Sequence, residues 1–242
     1  MVGSSQPEAQ RDYAKTLKKY YPDFIPTQAL YLDFEGGGKG NEVILSVFWP
    51  QRRGSERFHW VRRQDASRYL ERTQWSEIED FISYRNDWLQ SVVVFSGQTD
   101  AQPGEPDEQR RLREWLGHDP FSSIEWVNLH RPLMARGGAG LAKEYIRTHR
   151  LVQKPAGDGG FRSKNYSLEN LEFLFAVDRA KDLRSRGDLY SDGSRGTFGV
   201  LTIEAQVVRG KAEDGDQDRL KRYCRQDVES MFEIARRCKK YW

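Results

Sequence analysis

Cysteine, histidine and long hydrophobic runs are all scarce in this 242-residue chain. The two cysteines, Cys224 and Cys238, lie about 21 Å apart on one predicted helix, too far for a disulfide. The four histidines are scattered and form no zinc-binding pattern. No apolar run approaches the ~20 residues of a membrane span, and the first residues lack the apolar core of a signal peptide. These absences predict a cytoplasmic protein without disulfides, structural zinc or a membrane segment.

Apolar residues are also less frequent than usual, because 37% of the chain is hydrophobic and 31% is charged, against about 45–50% and about 25% in an average chain. Aromatic residues make up 12% of the chain, which argues against wholesale disorder. A chain of 242 residues is long enough for one large domain with its own core. The net charge of +3 is too small to indicate a partner, so the position of the charges matters more.

Strand and helix patterns alternate along the chain and predict an α/β domain. Three strand-like runs come first, joined by Gly-rich or charged links, at 29–34, 43–49 and 57–61. Apolar spacing next predicts a helix at 66–90, a buried strand at 92–95, a helix at 106–116 with Pro106 in its first position, and a strand at 123–129. Further helices are predicted at 8–21, at 165–175 with Ser167 as N-cap, at 199–208 and at 216–240, with a loop at 184–198.

One stretch, residues 131–165, combines a weak secondary-structure pattern with a strong positive charge. It contains eight Lys or Arg residues against two acidic residues, and the basic residues of its first half are Arg131, Arg136, Lys143 and Arg147. Basic groups of this kind neutralise the phosphates of a nucleic acid. The stretch therefore predicts a nucleic-acid-binding surface, with an ordinary solvated insertion as the alternative.

Two carboxylates stand close together in the first predicted strand. Because side chains alternate between the faces of a strand, Asp33 and Glu35 point the same way while Leu32 and Phe34 point the other way. Two like charges at this spacing repel and raise each other's pKa unless a cation neutralises them. Carboxylate oxygens are the ligands that Mg²⁺ and Mn²⁺ prefer, so the pair predicts a metal site. The alternative is a solvated strand end beside the Gly-rich turn.

A third carboxylate lies on the apolar face of the last predicted helix. That face follows steps of three, four and seven residues and consists of Leu220, Tyr223, Cys224, Asp227, Met231, Ile234, Ala235 and Cys238. Burying an unpaired carboxylate costs several kcal/mol, so Asp227 needs a partner. The partner is either a metal ion shared with the first strand or, in the simpler alternative, a cap or an ion pair with Arg222 or Arg225.

Taken together, these two segments resemble a known family. Residues 30–35 (LYLDFE) and 223–227 (YCRQD) are similar to motifs one and three of the DEDD 3′–5′ exonuclease superfamily, which has the ribonuclease H-like fold. Tyr223, four residues before Asp227, resembles the DEDDy branch. The DEDDh branch has a histidine one residue further back, where this chain has Arg222.

The resemblance implies a fold and a domain organisation. The fold is a ribonuclease H-like mixed sheet, with three antiparallel strands followed by alternating strands and helices, flanked by helices. The similarity covers residues 29–130 and 165–240. It implies an N-terminal helical extension at 1–28 and an exonuclease domain at 29–242, with the basic stretch as an insertion at about 131–165.

Motif two of the family is less clear in this chain. The family has an Asp after the fourth strand, near the start of the next helix. Counting from the strand end at Phe95 places Asp100 there, whereas counting back from the helix favours Asp107 or Glu108, because Glu108 has helical spacing with Leu112 and Leu116. The usual Asn of this motif is replaced by Ser96. Asp100 is the preferred prediction, and the other two residues remain alternatives.

The resemblance further implies two Mg²⁺ or Mn²⁺ ions that act on a phosphodiester. Asp33 would bridge both ions, while Glu35 and Asp227 would hold the ion that carries the attacking water. Asp100 would support the second ion, and Tyr223 would orient or help deprotonate the water. The implied partner is DNA or RNA with a single-stranded 3′ end, and the implied activity is hydrolysis in the 3′–5′ direction.

Two other functions remain open from the sequence. The first is a ribonuclease H-like module with weak or no activity that binds nucleic acid or a partner protein, which the unusual motif two favours. The second is a metal enzyme that acts on a smaller phosphoester such as a short oligonucleotide. The glycines at 36–38 do not favour a nucleotide-binding protein, because the chain has no G-x-x-x-x-G-K-[ST] pattern.

Overall fold

A computed structural model describes residues 4–36, 42–50, 56–61, 88–96, 105–157, 159–164, 166–209 and 211–242. Asp100 and residues 66–87 of the helix predicted at 66–90 lie outside the described residues. Among the described helices, none has the length and apolar composition needed to cross a bilayer. Both cysteines carry free thiols and are buried, as their spacing predicts.

A five-stranded mixed sheet forms the centre of an α/β architecture. Its strands are β1 (Ala29–Gly36), β2 (Glu42–Trp49), β3 (Glu56–Val61), β4 (Ser91–Val94) and β5 (Glu125–Asn128). The strand order is β3-β2-β1-β4-β5. β2 is antiparallel to β1 and to β3, whereas β4 is parallel to β1 and to β5. Each of these strands overlaps a strand-like run of the sequence, so the α/β class is confirmed.

The described helices are α1 (Gln6–Tyr20), α2 (Asp107–Leu116), α3 (Arg131–Met134), α4 (Gly140–His149), α5 (Leu168–Phe175), α6 (Val200–Val208) and α7 (Asp214–Cys238). Short 3-10 turns at Pro26–Gln28, Lys181–Leu183 and Lys239–Tyr241 join or extend them. The helices expected near 199–208 and 216–240 are confirmed as α6 and α7. Pro106 is the N-cap of α2 rather than its first residue, which corrects the sequence prediction.

The two faces of β1 belong to different cores. Leu30 and Leu32 pack with Leu112 of α2 on one face. Tyr31, on the opposite face, packs in a larger core with the apolar sides of α1, α4, α5 and α7. In this larger core Tyr13 of α1 is fully buried, so α1 packs into the body of the molecule. The alternation places Asp33 and Glu35 on the face of β1 that α7 covers.

The basic stretch folds into α3, α4 and the first two strands of a small second sheet. This sheet has the order β7-β6-β8, with β6 at Val152–Pro155, β7 at Phe161–Ser163 and β8 at Leu189–Tyr190. The sequence did not predict these strands, and β8 lies in the segment expected to be a loop. The expected cap of α5 is present, because the Ser167 hydroxyl accepts a hydrogen bond from the Asn170 amide.

Candidate metal centre

Asp33 and Glu35 lie in the second half of β1, opposite Ser46 and Ile44 of β2. Asp227 lies midway along α7, which packs across β1 and β2. Each of the three side chains offers a carboxylate oxygen, and these oxygens all lie within 4.8 Å of one another. The structure therefore brings together the two carboxylates of the strand and the carboxylate of the last helix, about 190 residues apart in the sequence.

The proximity and burial of these carboxylates raise their pKa values. Burial raises the pKa of Asp33 well above its usual range, and the nearby carboxylates of Asp227 and Glu108 add to the increase. Burial also raises the pKa of Glu35, with further increases from Asp33 and Asp227. Burial raises the pKa of Asp227 to about 6, although the neighbouring Arg179 opposes the change. The cluster holds more negative charge than its own side chains neutralise.

One oxygen of this cluster has the environment expected of a metal ligand. Asp33 Oδ2 is buried, and within the described part of the chain no hydrogen-bond donor reaches it. A buried carboxylate oxygen that lacks a donor costs free energy, because its hydration is lost without replacement. A divalent cation held by three carboxylates removes this cost. The donor set of Asp33, Glu35 and Asp227 therefore fits Mg²⁺ or Mn²⁺.

Glu108, an alternative for motif two, lies beside this cluster. It stands in the first turn of α2, is 9% exposed, and has no partner on Oε2 among the described residues. Ser96, which follows β4, orients this turn: its hydroxyl accepts a 3.2 Å hydrogen bond from the Asp107 amide and bonds to the Glu108 carboxylate. Burial raises the pKa of Glu108. Counting back from the helix to find motif two thus identifies Glu108, whose carboxylate lies near Asp33. Asp107, the other residue favoured by that count, forms an ion pair with Arg110.

The direct partner of Asp227 is an arginine that the sequence did not indicate. Arg179, just after α5, donates a short hydrogen bond to Asp227 Oδ1 and two more to Glu172, at 2.7 and 2.8 Å. All three side chains are at least 90% buried. Arg222, one of the two expected partners, instead pairs with Asp182 at 2.9 Å. Arg179 stands in a short polar segment, and no spacing relates it to α7.

Tyr223 lies one turn before Asp227, with its ring 5.1 Å from the Phe198 ring and 5.1 Å from the guanidinium carbon of Arg179. Burial, together with the charges of Asp227 and Glu35, raises the pKa of its phenol well above the usual value. The phenol is therefore protonated at neutral pH and acts as a hydrogen-bond donor. This state fits a role in orienting water better than a role in deprotonating it.

A further carboxylate reaches the cluster from α6. Glu204 is 2% exposed and lies within hydrogen-bond distance of Glu35. Sequence reasoning missed this residue, although a signal was present: Glu204 is the single charged residue of the nine-residue helix VLTIEAQVV. A lone charge in an otherwise apolar helix indicates a buried polar contact.

The basic residues of the insertion lie on and around α3 and α4. Arg131 begins α3, with its guanidinium carbon 4.5 Å from the ring centroid of Tyr20, and Lys143 of α4 donates a 3.2 Å hydrogen bond to the Ala135 carbonyl oxygen. Arg147 lies in the last turn of α4, and Arg136 lies between the two helices. α4 packs against α1. A role of these four residues in nucleic-acid binding remains a prediction.

No protein-family model, curated protein or solved structure matches the chain significantly. The functional assignment therefore depends on the arrangement of the site itself.

Proposed function

We propose that this protein is a metal-dependent nuclease that removes nucleotides from the 3′ end of DNA or RNA. The observation that carries the proposal is the convergence of Asp33, Glu35 and Asp227, whose carboxylate oxygens lie within 4.8 Å of one another. The burial of Glu108 near Asp33 supports it, because a fourth carboxylate after β4 corresponds to motif two of the family that the sequence resembles. We propose Glu108 as the motif-two carboxylate, in place of Asp100.

The order of the strands also supports this assignment. The ribonuclease H-like fold expected from the resemblance has three antiparallel strands followed by strands that alternate with helices. In this chain β2 lies between β1 and β3 and is antiparallel to both, and β4 and β5 continue the sheet in parallel on the other side of β1. The acidic cluster lies toward the carboxyl end of β1, where α2 and α7 both approach.

The chain's own groups have distinct roles in the proposed reaction. Asp33, Glu35 and Asp227 would hold divalent ions, with Glu108 supporting them from α2. Such ions would supply a nucleophile at neutral pH and neutralise charge on the reacting phosphate. The phenol of Tyr223 donates a hydrogen bond that orients the attacking water. Arg179 fixes the rotamer of Asp227 by holding one of its oxygens.

The experiment uses single strands of DNA and of RNA, each labelled at the 5′ or the 3′ end, with Mn²⁺. We expect stepwise shortening from the 3′ end with release of nucleoside 5′-monophosphates, and a loss of at least 10³-fold in rate in Asp33→Asn and in Asp227→Asn. Glu233→Gln is the matched control, because Glu233 lies on α7 in a surface ion pair with Arg236. Unchanged hydrolysis in Asp33→Asn would contradict the assignment.

The contact between Arg179 and Asp227 favours a second candidate function. Because this arginine neutralises part of the cluster, the same fold could bind nucleic acid without cleaving it. In that case the labelled strands would stay intact while binding remained tight and weakened steeply with salt. Hydrolysis confined to oligomers of about two to five nucleotides would instead indicate an enzyme for short products.

A further inference from the structure

The packing of α6 does not explain why a charged residue stands at position 204. Glu204 projects from α6, where Ile203 and Val207 pack in an apolar cluster with Ile44 of β2 and Leu220 of α7. A carboxylate with 2% exposure in such a cluster requires a compensating partner, because burial of an unpaired charge is costly.

Among the described residues, the polar group that contacts Glu204 is another carboxyl group. One oxygen of Glu204 shares a hydrogen bond with Glu35, while Oε2 is buried and has no donor within the described part of the chain. Among the described residues no Lys or Arg forms an ion pair with Glu204, whereas Asp227 has Arg179. Two adjacent carboxyl groups repel each other when both are ionised, unless one of them takes up a proton or a cation lies beside them.

We propose that Glu204 is an additional carboxylate of the metal centre and binds the divalent ion held by Glu35, either directly or through a coordinated water. This inference rests on the proposed function, since it requires the metal centre of Asp33, Glu35 and Asp227. Glu204 lies outside the group whose oxygens are all within 4.8 Å of one another, so it adds charge from the side of α6 rather than replacing one of the three. Its unpartnered oxygen supplies a hard ligand for Mg²⁺ or Mn²⁺.

The competing explanation is that Glu204 is neutral and serves as a hydrogen-bond donor that orients Glu35. The variant Glu204→Gln separates the two explanations. Glutamine has nearly the same shape and can donate a hydrogen bond to Glu35, but it carries no charge and is a poor ligand for these ions. A role in orientation survives this change, whereas a role in metal binding does not.

The test is a calorimetric titration of the whole chain with Mn²⁺, without nucleic acid. We expect the Kd for Mn²⁺ to rise at least tenfold in Glu204→Gln and to stay unchanged in Glu233→Gln. Thermal unfolding with a chelator checks that both variants fold. A Kd for Glu204→Gln within twofold of the wild-type value would overturn the proposal.

Two further variants make the result decisive. If Glu204→Gln does not fold, Glu204→Asp replaces it: a shorter side chain retracts the carboxylate, so a Kd raised at least threefold supports the proposal and an unchanged Kd overturns it. Asp33→Asn identifies a failure of the underlying assignment. If Asp33→Asn also binds Mn²⁺ normally, the metal centre itself is wrong, whereas loss of binding in Asp33→Asn alone overturns only the role of Glu204.

Discussion

Two groups of acidic residues in the described part of the chain differ in how their charge is balanced. In the cluster of β1, α6 and α7, Arg179 is the cation that pairs with a carboxylate, and Asp33 Oδ2 and Glu204 Oε2 have no donor among the described residues. In the network between α5 and the small sheet, Glu169 pairs with Lys164 and accepts hydrogen bonds from Ser185 at 3.0 Å and Tyr190 at 2.6 Å.

The pKa values of Asp33 and Glu169 reflect this difference in charge balance. Burial raises the pKa of Asp33 well above its usual range, and the nearby carboxylates of Asp227 and Glu108 raise it further. Burial acts on Glu169 in the same direction, but Lys164 and Arg179 outweigh it and lower its pKa to about 2. The comparison shows that burial and acidity alone do not identify a metal site. The two groups differ because, among the described residues, Glu169 has a cation and hydrogen-bond donors of its own, whereas Asp33 Oδ2 and Glu204 Oε2 have no donor.

The largest effect is expected at Arg179, the cation of the acidic cluster. Replacing it in Arg179→Met leaves Asp227 and Glu172 buried without their partner. We expect the free energy of unfolding in chelator to fall by about 3–5 kcal/mol. Urea denaturation measures this loss, and Mn²⁺ should restore part of it by neutralising Asp227.

The control for this prediction is Arg236→Met, because Arg236 forms a surface pair with Glu233 on the same helix as Asp227. An exposed pair of this kind is worth less than about 1 kcal/mol. An equal loss in both variants would mean that the buried arginine has no special importance for the cluster.

The next largest effect is expected in the balanced network. Glu169→Gln removes the carboxylate that holds Lys164, Ser185 and Tyr190 together, so the free energy of unfolding should fall by about 3 kcal/mol. In contrast to Arg179→Met, Mn²⁺ should restore none of this loss. A Mn²⁺-dependent recovery would break the distinction between the two groups, because it would place a metal in the network as well.

A substitution at Asp33 of the acidic cluster should raise the free energy of unfolding rather than lower it. The pKa of Asp33 is raised in the folded protein, so its ionised form opposes folding at every pH above the unfolded value. Without metal, Asp33→Asn should therefore raise the free energy of unfolding at pH 7, because asparagine carries no charge to bury. Differential scanning calorimetry with chelator and with Mn²⁺ measures both states.

The same calorimetry also shows whether Mn²⁺ stabilises each protein, and it can contradict the prediction. Mn²⁺ should raise the Tm of the wild-type protein and leave that of Asp33→Asn nearly unchanged, because a ligand stabilises the form that binds it. If Asp33→Asn destabilises the chain in chelator, Asp33 has a compensating partner and belongs with Glu169 rather than with a metal centre.

The sequence was sufficient for the parts of the site that depend on local periodicity. Alternation in β1 places Asp33 and Glu35 on one face, and the apolar stripe of α7 places Asp227 toward the core, so both could be read without a structure. The strands of the central sheet were predictable for the same reason. These features depend on residues close together in the chain.

The sequence was insufficient where a contact joins distant segments. Arg179 precedes its partner Asp227 by 48 residues, and no spacing rule relates a loop residue to a helix face. The short strands β6 to β8 have too few residues for a clear alternation. The proposal of Glu108 as the motif-two carboxylate required the position of α2 relative to β1, which Ser96 helps to set.

The smallest effect is a dependence of Mn²⁺ binding on pH. Burial raises the pKa of Asp227 to about 6, so a proton occupies this carboxylate below that pH and competes with the metal ion. The Kd for Mn²⁺ should therefore fall as the pH rises from 5 to 7, by about three- to tenfold per unit. Glu169 of the balanced network releases no proton in this range, because its pKa is already about 2. Calorimetric titrations at pH 5, 6 and 7 measure the slope, and Glu169→Asp should leave it unchanged. A Kd that is independent of pH would show that none of the three ligand carboxylates takes up a proton in this range, and the contrast in pKa between the two groups would then be lost.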